Sequence, residues 1–298
     1  MCITFFYISD NPTKDKYKLV LVMNRDEFFK RPTSRSDWEG NILAGRDQFP
    51  GKEGGTWLAI NNKGHLGILT NIYTGMPKSG KGRGFLITDY LNQDLEVSST
   101  TGGNWKSPND YLTELSHSKV LYSPFNIVIF EPKDHGYEGH YFCKGHPESY
   151  VKDSIGPEKL EPGFHGVSNH PKNCPYKKTQ AGMEMFQENL EKYGGRKNND
   201  ENEKEILIEE LFKIMDNCSS YHPDEQMIKQ GGEDSPFLKF HSQLACINVK
   251  IPEQGYGTRV TTLILVDWNN EVTFIEKSKE NSDGNNTDDE PKIFQFKI

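Results

Sequence analysis

The second residue of this chain is a cysteine, and its place next to the initiator gives it chemical interest. A side chain as small as that of Cys2 permits removal of Met1, which leaves a cysteine with a free α-amine. Such an amine titrates at about 7.7–8.0 and can accept the proton of its own thiol. The thiolate is the nucleophile, and a neighbouring cation raises its population. An ordinary buried strand cysteine is the plainer alternative. Residues 2–8 and 18–23 are apolar runs that read as strands joined by a polar loop. If they pair, residue 8 faces about residue 17, and Cys2 faces about Met23 to within a residue or two. Immediately beyond lie Asn24, Arg25, Asp26 and Glu27, so the hairpin delivers an arginine and two carboxylates beside Cys2. Arg25 would favour the thiolate, and Asp26 would hold the ammonium or orient Arg25. A solvated charge cluster at a strand end is the competing reading.

Other polar groups stand at the edges of apolar segments. Asn71 ends the run that precedes it, where an asparagine amide can serve a developing oxyanion. Asn169 in Gly166-Val167-Ser168-Asn169 and Arg259 in Tyr256-Gly257-Thr258-Arg259 are placed similarly. Spacing alone does not show that they converge. Ser79-Gly80-Lys81-Gly82-Arg83-Gly84 precedes a predicted helix, and its amides with Lys81 and Arg83 suit a phosphate or carboxylate. It lacks the spacing of a nucleotide-binding P-loop, and a solvated turn is the simpler reading. His140, Cys143 and His146 recur at intervals of three, but strand alternation sends His140 and Cys143 to opposite faces, against a shared metal. Cys174-Pro175 with His170 nearby is a short haem-responsive pattern of low specificity. Trp57 and Trp268 read first as core or wall residues.

The elements that must position these groups follow from periodicity. Residues 57–60 and 66–69 form a second hairpin around Asn61-Asn62-Lys63-Gly64. Helices fit residues 85–92 and 108–117, and strands return at 125–130 and 137–143. Further helices fit 176–193 and 203–217, the second with Leu207, Leu211, Ile214 and Met215 on one stripe. The remaining strands are expected at 243–250, 259–267, 271–277 and 292–298. Polar stretches at about 194–202 and 278–291 read as surface loops of one domain spanning residues 1–298. The first strand is apolar on both faces, Ile3, Phe5 and Tyr7 against Phe6 and Ile8, as burial between layers requires. The order of elements predicts two sheets with helices outside them, an α+β architecture.

Composition sets the outer limits. The 298 residues carry a net charge of −8, which disfavours nucleic acid as a partner. Half of the acidic excess lies in residues 281–290, through Asp283, Asp288, Asp289 and Glu290. Aromatics at 11% argue for a packed core. No apolar run approaches the roughly 20 residues of a membrane-spanning helix. Five scattered cysteines without a CxxC pair suggest neither a disulfide framework nor a zinc site, and no basic leader precedes Asp10. Cytosol is the expected compartment.

Met1-Cys2-Ile3, Asn24-Arg25-Asp26-Glu27, Gly54-Gly55-Thr56-Trp57, Gly166-Val167-Ser168-Asn169 and Tyr256-Gly257-Thr258-Arg259 together resemble the NRDE family, in order, from residue 2 to about 277. That family in turn resembles the N-terminal-nucleophile hydrolases, which include bile-salt hydrolase, penicillin V acylase and acid ceramidase. The resemblance implies a four-layer αββα sandwich of two antiparallel sheets, a self-activated Cys2, an arginine near the thiol, and oxyanion asparagines matched here by Asn71 and Asn169. It also matches Arg259 to a later arginine. One departure stands out: the hydrolases separate their arginine and aspartate by two residues, whereas Arg25 and Asp26 are adjacent. Aligning Asp26 with the hydrolase aspartate puts Met23 in the arginine position.

The resemblance implies a protein that acts on or binds a hydrophobic acyl compound, an amide or thioester, through Cys2. Asn24, Glu27, Trp57, Lys81 and Arg83 are the expected ligand contacts, and no cofactor or metal is required. Members of the family are associated with lipid, acyl-CoA and haem homeostasis in cytosol and mitochondria, and with Golgi organisation. A carrier that uses the same pocket for acyl-CoA, or for haem as cargo, is therefore the main alternative, and a secretory scaffold the second.

Overall fold

A computed structural model describes residues 2–73, 81–93, 106–145, 151, 153–195, 202–232, 236–279 and 290–298. His146, Ser79, Gly80 and most of the two polar stretches at 194–202 and 278–291 lie outside these residues. The chain builds fourteen strands and six α-helices among the described residues: β1 (Ile3–Ile8), β2 (Tyr17–Phe28), β3 (Thr33–Glu39), β4 (Ile42–Asp47), β5 (Leu58–Asn61), β6 (Leu66–Asn71), α1 (Phe85–Leu91), α2 (Pro108–His117), β7 (Phe125–Lys133), β8 (Gly136–Lys144), β9 (Ile155–Leu160), β10 (Gly163–Val167), α3 (Lys177–Tyr193), α4 (Glu203–Met215), α5 (Glu225–Gly231), α6 (His241–Leu244), β11 (Lys250–Ile251), β12 (Tyr256–Asp267), β13 (Glu271–Ser278) and β14 (Lys292–Lys297).

Two antiparallel sheets result. The first runs β10-β1-β2-β12-β13-β14 with β11 on β12, and the second runs β3 to β9 in chain order. Alternation along each strand then sorts the apolar residues into layers. Phe6, Leu21, Met23 and Phe274 meet Leu43, Ile60, Val128 and Tyr141 between the sheets. Ile3, Phe5, Val20 and Val22 face outward against Phe186 and Leu190 of α3 and Leu207 and Leu211 of α4. Ala59, Ile127 and Phe142 on the far side of the second sheet pack under Leu86 and Tyr90 of α1 and Leu112 of α2. Helix, sheet, sheet and helix are thus four stacked layers, as the sequence predicts.

Several elements differ from expectation. Residues 243–250 contain the last two residues of α6 and only the first residue of β11. Ile247 and Val249 are fully buried there, but the neighbouring main chain bonds to a loop, through Tyr221 to Ala245 and Asn248 to Asn217. An apolar run can be buried without pairing as a strand. The strands β3, β4, β9 and β10 and helix α5 are additional to the predicted set. The first hairpin closes between Ser9 and Lys18, so Ile8 pairs with Leu19 and Ile3 with Asn24. The ladder therefore puts Cys2 beside Arg25, two residues from the expected Met23. A shift of two preserves the face on which every side chain lies. Among the described residues no helix is long and apolar enough to cross a membrane.

Candidate functional site

Twelve-residue β2 is long enough to leave the core and carry Asn24 to Glu27 to the sheet end where β1 begins. On its other side β12 pairs Thr258 with Asp26 and Gly257 with Glu27, then bulges before Val260. Thr258 donates its hydroxyl to Asp26 Oδ1 at 2.6 Å and accepts the Val249 amide at 2.9 Å. The Tyr256-Gly257-Thr258 segment thereby fixes the aspartate. Gly257 is required by close approach, because a Cβ there would lie 2.8 Å from the Val249 carbonyl oxygen.

A cavity of about 440 Å³ opens at this end of the molecule, and Cys2, Arg25, Asp26 and Glu27 line one side of it. That volume is within the usual range for small-molecule sites. Another part of the lining joins two glycine-containing segments. The Thr56 amide donates to the Gly84 carbonyl at 2.9 Å, and a Cβ on Gly84 would lie 2.9 Å from the Gly55 Cα. Gly54-Gly55-Thr56-Trp57 and Lys81-Gly82-Arg83-Gly84 are therefore in backbone contact. Trp57, Lys81 and Arg83 face the cavity, as does Asn71 at the end of β6.

Charge in the cavity is unevenly compensated. Arg31 is held by Asp47 through two hydrogen bonds of 3.1 and 2.6 Å, with Glu27 at 3.7 Å. Arg25, Lys52, Lys81 and Arg83 also line the space, and among the described residues none has a carboxylate within ion-pair distance. The Arg25 guanidinium instead stacks on Trp57 at 4.1 Å, a cation–π contact, and its Nη1 has no hydrogen-bond acceptor. Arg83 donates to the Pro124 carbonyl at 2.9 Å, and burial pushes it down to about 10, still cationic at neutral pH. Burial pushes the Cys2 thiol up, opposed by a hydrogen bond from the Asp26 amide and by the Arg25 charge. Burial also raises Asp26, against the pull of Lys178.

Three predicted site residues are placed elsewhere. Asn24 is fully buried on the opposite face of β2, where it donates to the carbonyls of Met215 and Ile247 at 2.8 and 3.2 Å and accepts from Thr261 at 2.6 Å. Its amide joins the sheet to the end of α4, and it is not a cavity contact. Asn169 is buried behind Asn71, donates its amide to the Asn71 main-chain carbonyl and does not line the cavity. Arg259 lies in the β12 bulge and reaches the carbonyls of Phe28 and Arg31, tying down the β2–β3 connection outside the cavity. Asn169 and Arg259 therefore support the wall, the Asn169 amide donating to the Asn71 carbonyl and Arg259 Nη1 to the carbonyls of Phe28 and Arg31.

Other residues were not legible in the linear motifs. Asn126 of β7 clamps the Gly166–Asn169 segment onto the second sheet, donating to the carbonyls of Ser168 and His170 at 2.9 and 2.8 Å. Ser168 in turn donates to the Cys2 carbonyl at 2.8 Å. Lys178 is fully buried, with its ammonium on the carbonyls of Leu244 and Cys246 at 2.8 and 2.9 Å. It falls on the buried stripe Lys178, Gly182, Phe186, Leu190 of α3, and a lysine in phase with an apolar stripe was the available signal. His140 and Cys143 do sit on opposite faces of β8: Cys143 belongs to the core between the sheets. The described residues contain no metal-binding cluster. Both nitrogens of His170 are engaged, by Pro171 and Thr179 at 2.7 and 3.1 Å, so it is not disposed to ligate iron with Cys174.

The profile of the family described as Transport and Golgi organisation 2 matches residues 1–281. The human Transport and Golgi organization protein 2 homolog is 35% identical over 293 residues, 95% of either chain. The Drosophila melanogaster Transport and Golgi organization protein 2 is 30% identical over 286 residues, 93% of this chain and 92% of its own. Among solved structures, a Caenorhabditis elegans N-acylethanolamine-hydrolyzing acid amidase ortholog matches with a TM-score of 0.41 at 15% identity, covering 70% of this chain and 85% of its own. The C2A mutant of conjugated bile acid hydrolase from Clostridium perfringens matches with a TM-score of 0.37 at 12% identity, over 99% and 97%.

Proposed function

The chain belongs to the Transport and Golgi organisation 2 family, and we propose that it takes a hydrophobic acyl compound, an amide or thioester with an anionic group, into the Cys2 cavity and transfers the acyl group to Cys2. The carrying observation is the thiol in a cavity lined also by Arg25, Lys52, Lys81 and Arg83, none of which has a carboxylate within ion-pair distance among the described residues. A developing oxyanion or an anionic head group would supply the missing charge.

With Met1 removed, the Cys2 α-amine takes the thiol proton, and the thiolate forms a C–S bond to the acyl carbonyl carbon. The Asn71 carboxamide and the arginines stabilise the oxyanion. Collapse breaks the bond to the leaving amine or thiol, which receives the proton from the α-ammonium held by Asp26. Water then cleaves the acyl-cysteine, releasing the acid and restoring the thiol. Trp57 and the Arg25 stacked on it form the wall that orients the ligand.

Burial of the thiol favours a second reading, a carrier that binds the same acyl compound, or haem through its propionates, without turnover. We place either activity in lipid, acyl-CoA or haem homeostasis, in cytosol with mitochondrial or Golgi association. Intact-mass measurement before and after limiting iodoacetamide separates the readings, followed by acyl-amide and acyl-thioester substrates. Loss of Met1, selective labelling of Cys2 and turnover abolished in Cys2→Ser with ligand binding retained are the expected results. Retained Met1 with binding and no turnover leaves the carrier, and absence of both turnover and binding overturns the proposal.

A further inference from the structure

Large apolar side chains left in water usually occur singly, and a group of them around an opening marks a contact surface. Six large hydrophobic residues are exposed among those described: Leu121 at 66%, Ile293 at 59%, Phe28 at 46%, Phe49 at 44%, Val120 at 41% and Phe85 at 38%. Phe49, Phe85, Val120 and Leu121 belong to segments at the cavity. Phe49 and Phe85 line it directly. Leu121 is fixed beside it, because its carbonyl accepts the amide of the cavity residue Lys81 at 2.8 Å, and Val120 is its chain neighbour. Phe28 alternates to the opposite face of β2 from Glu27 and packs on Tyr256 at 5.1 Å, away from this group. Three separate parts of the chain thus present apolar groups at one mouth: the turn after β4, the start of α1 and the segment before β7.

Cations accompany them. Lys52 and Lys81 are exposed members of the cavity lining, and Lys30 and Lys119 are exposed next to these apolar residues. Among the described residues the acidic groups there are Glu27 and Asp47, both engaged by Arg31, exposed Glu53 beside Lys52, exposed Asp89 near Lys81 and the buried Asp26. These are fewer than the cations Arg25, Lys30, Arg31, Lys52, Lys81, Arg83 and Lys119. A net basic rim on a chain of net charge −8 is a local inversion. We infer that the rim of the cavity docks on an anionic lipid bilayer, with Phe49, Phe85 and Leu121 entering the interface and the lysines meeting the head groups. Exposed aromatics and leucine with interspersed lysines are what an interfacial site needs. Screening over about 8 Å lets the local patch outweigh the distant acidic surface at contact. An acyl compound could then pass from the bilayer into the cavity without crossing water. The surface stands independently of the acyl-transfer reading, since docking requires no reaction at Cys2.

Flotation of the whole chain with vesicles of phosphatidylcholine, alone or mixed with phosphatidylserine, tests this at low and physiological salt. The protein is expected to float with the mixed vesicles and much less with the neutral ones. Lys52→Glu with Lys81→Glu, and separately Phe49→Ser with Leu121→Ser, should each weaken flotation by at least about tenfold. Ile293→Ser and Cys2→Ser should float like wild type, the latter separating this surface from the proposed reaction. Thermal unfolding and size-exclusion profiles monitor fold and oligomeric state. Failure of the wild type to float with mixed vesicles overturns the inference, as do rim variants that float unchanged. Self-association that the rim variants abolish, without vesicle binding, assigns the surface to a second copy instead.

Discussion

Burial works against the chemistry proposed for Cys2, and its sign gives a direct test. A thiol raised by desolvation from the usual 9.0 carries little thiolate at neutral pH. While Met1 remains, alkylation of Cys2 should rise about tenfold per pH unit through and beyond pH 9. After Met1 removal the rate at neutral pH should increase, because the α-ammonium then adjoins the sulfur. Mapped iodoacetamide labelling of the two forms measures this, and identical pH profiles would sink a role for the amine. Arg25 is a second case of conflict between stability and function. Its charge is buried on Trp57 without a carboxylate, so Arg25→Met should leave thermal stability equal or higher. The same variant should slow alkylation of Cys2 severalfold; unchanged labelling would mean that Arg25 does not act on the thiol. At this scale the linear sequence revealed what one hairpin brings together, Cys2 with Arg25 and Asp26. It also named Arg83, which lines the cavity, but it did not reveal Lys178, which arrives from a distant segment, nor that the Asn24, Asn169 and Arg259 side chains reach main-chain carbonyls.

Elements were legible where a single face had to be buried. The hairpins β1–β2, β5–β6 and β7–β8 and helices α3 and α4 carry periodic apolar residues, so the core layers could be read directly. By contrast, β3 and β4 contain Arg35, Asp37, Gly45 and Arg46, and their pairing depends on neighbours rather than on pattern. Buried Glu276 of β13 shows the kind of contact involved: it accepts the Ser36 amide of β3 at 2.9 Å. Helix α3 offers a test of how closely the layers fit. Alanine at Gly182 would improve helix propensity by about 1 kcal/mol. Yet its Cβ would lie 2.2 Å from Cζ of Phe5, a ring with no exposed surface. Gly182→Ala should therefore destabilise the protein by about 1–3 kcal/mol in a denaturant titration. A stabilised variant would show that α3 can lift from the sheet.

The molecule as a whole should be acid-labile before its carboxylates titrate. Burial pushes His65 and His170 down to about 4 from an ordinary 6.5. The unfolded chain takes up these protons near pH 6.5, while the folded chain refuses them until about pH 4. The stability contributed by neutral histidine is therefore full above pH 6.5 and declines as pH falls toward 4, by on the order of 3 kcal/mol per residue. Melting temperatures should drop steadily between pH 7 and 5, and His65→Gln should flatten the slope; a level wild-type profile would contradict the burial argument. The position of Cys2 has another consequence. Cys2 is 7% exposed and lines the cavity, so a long peptide joined to its nitrogen is tethered next to the ligand space. An affinity tag fused there becomes a tethered competitor at millimolar effective concentration. Fusions placed after Ile298 avoid this self-occlusion, so tag position alone could decide whether a binding assay returns a signal.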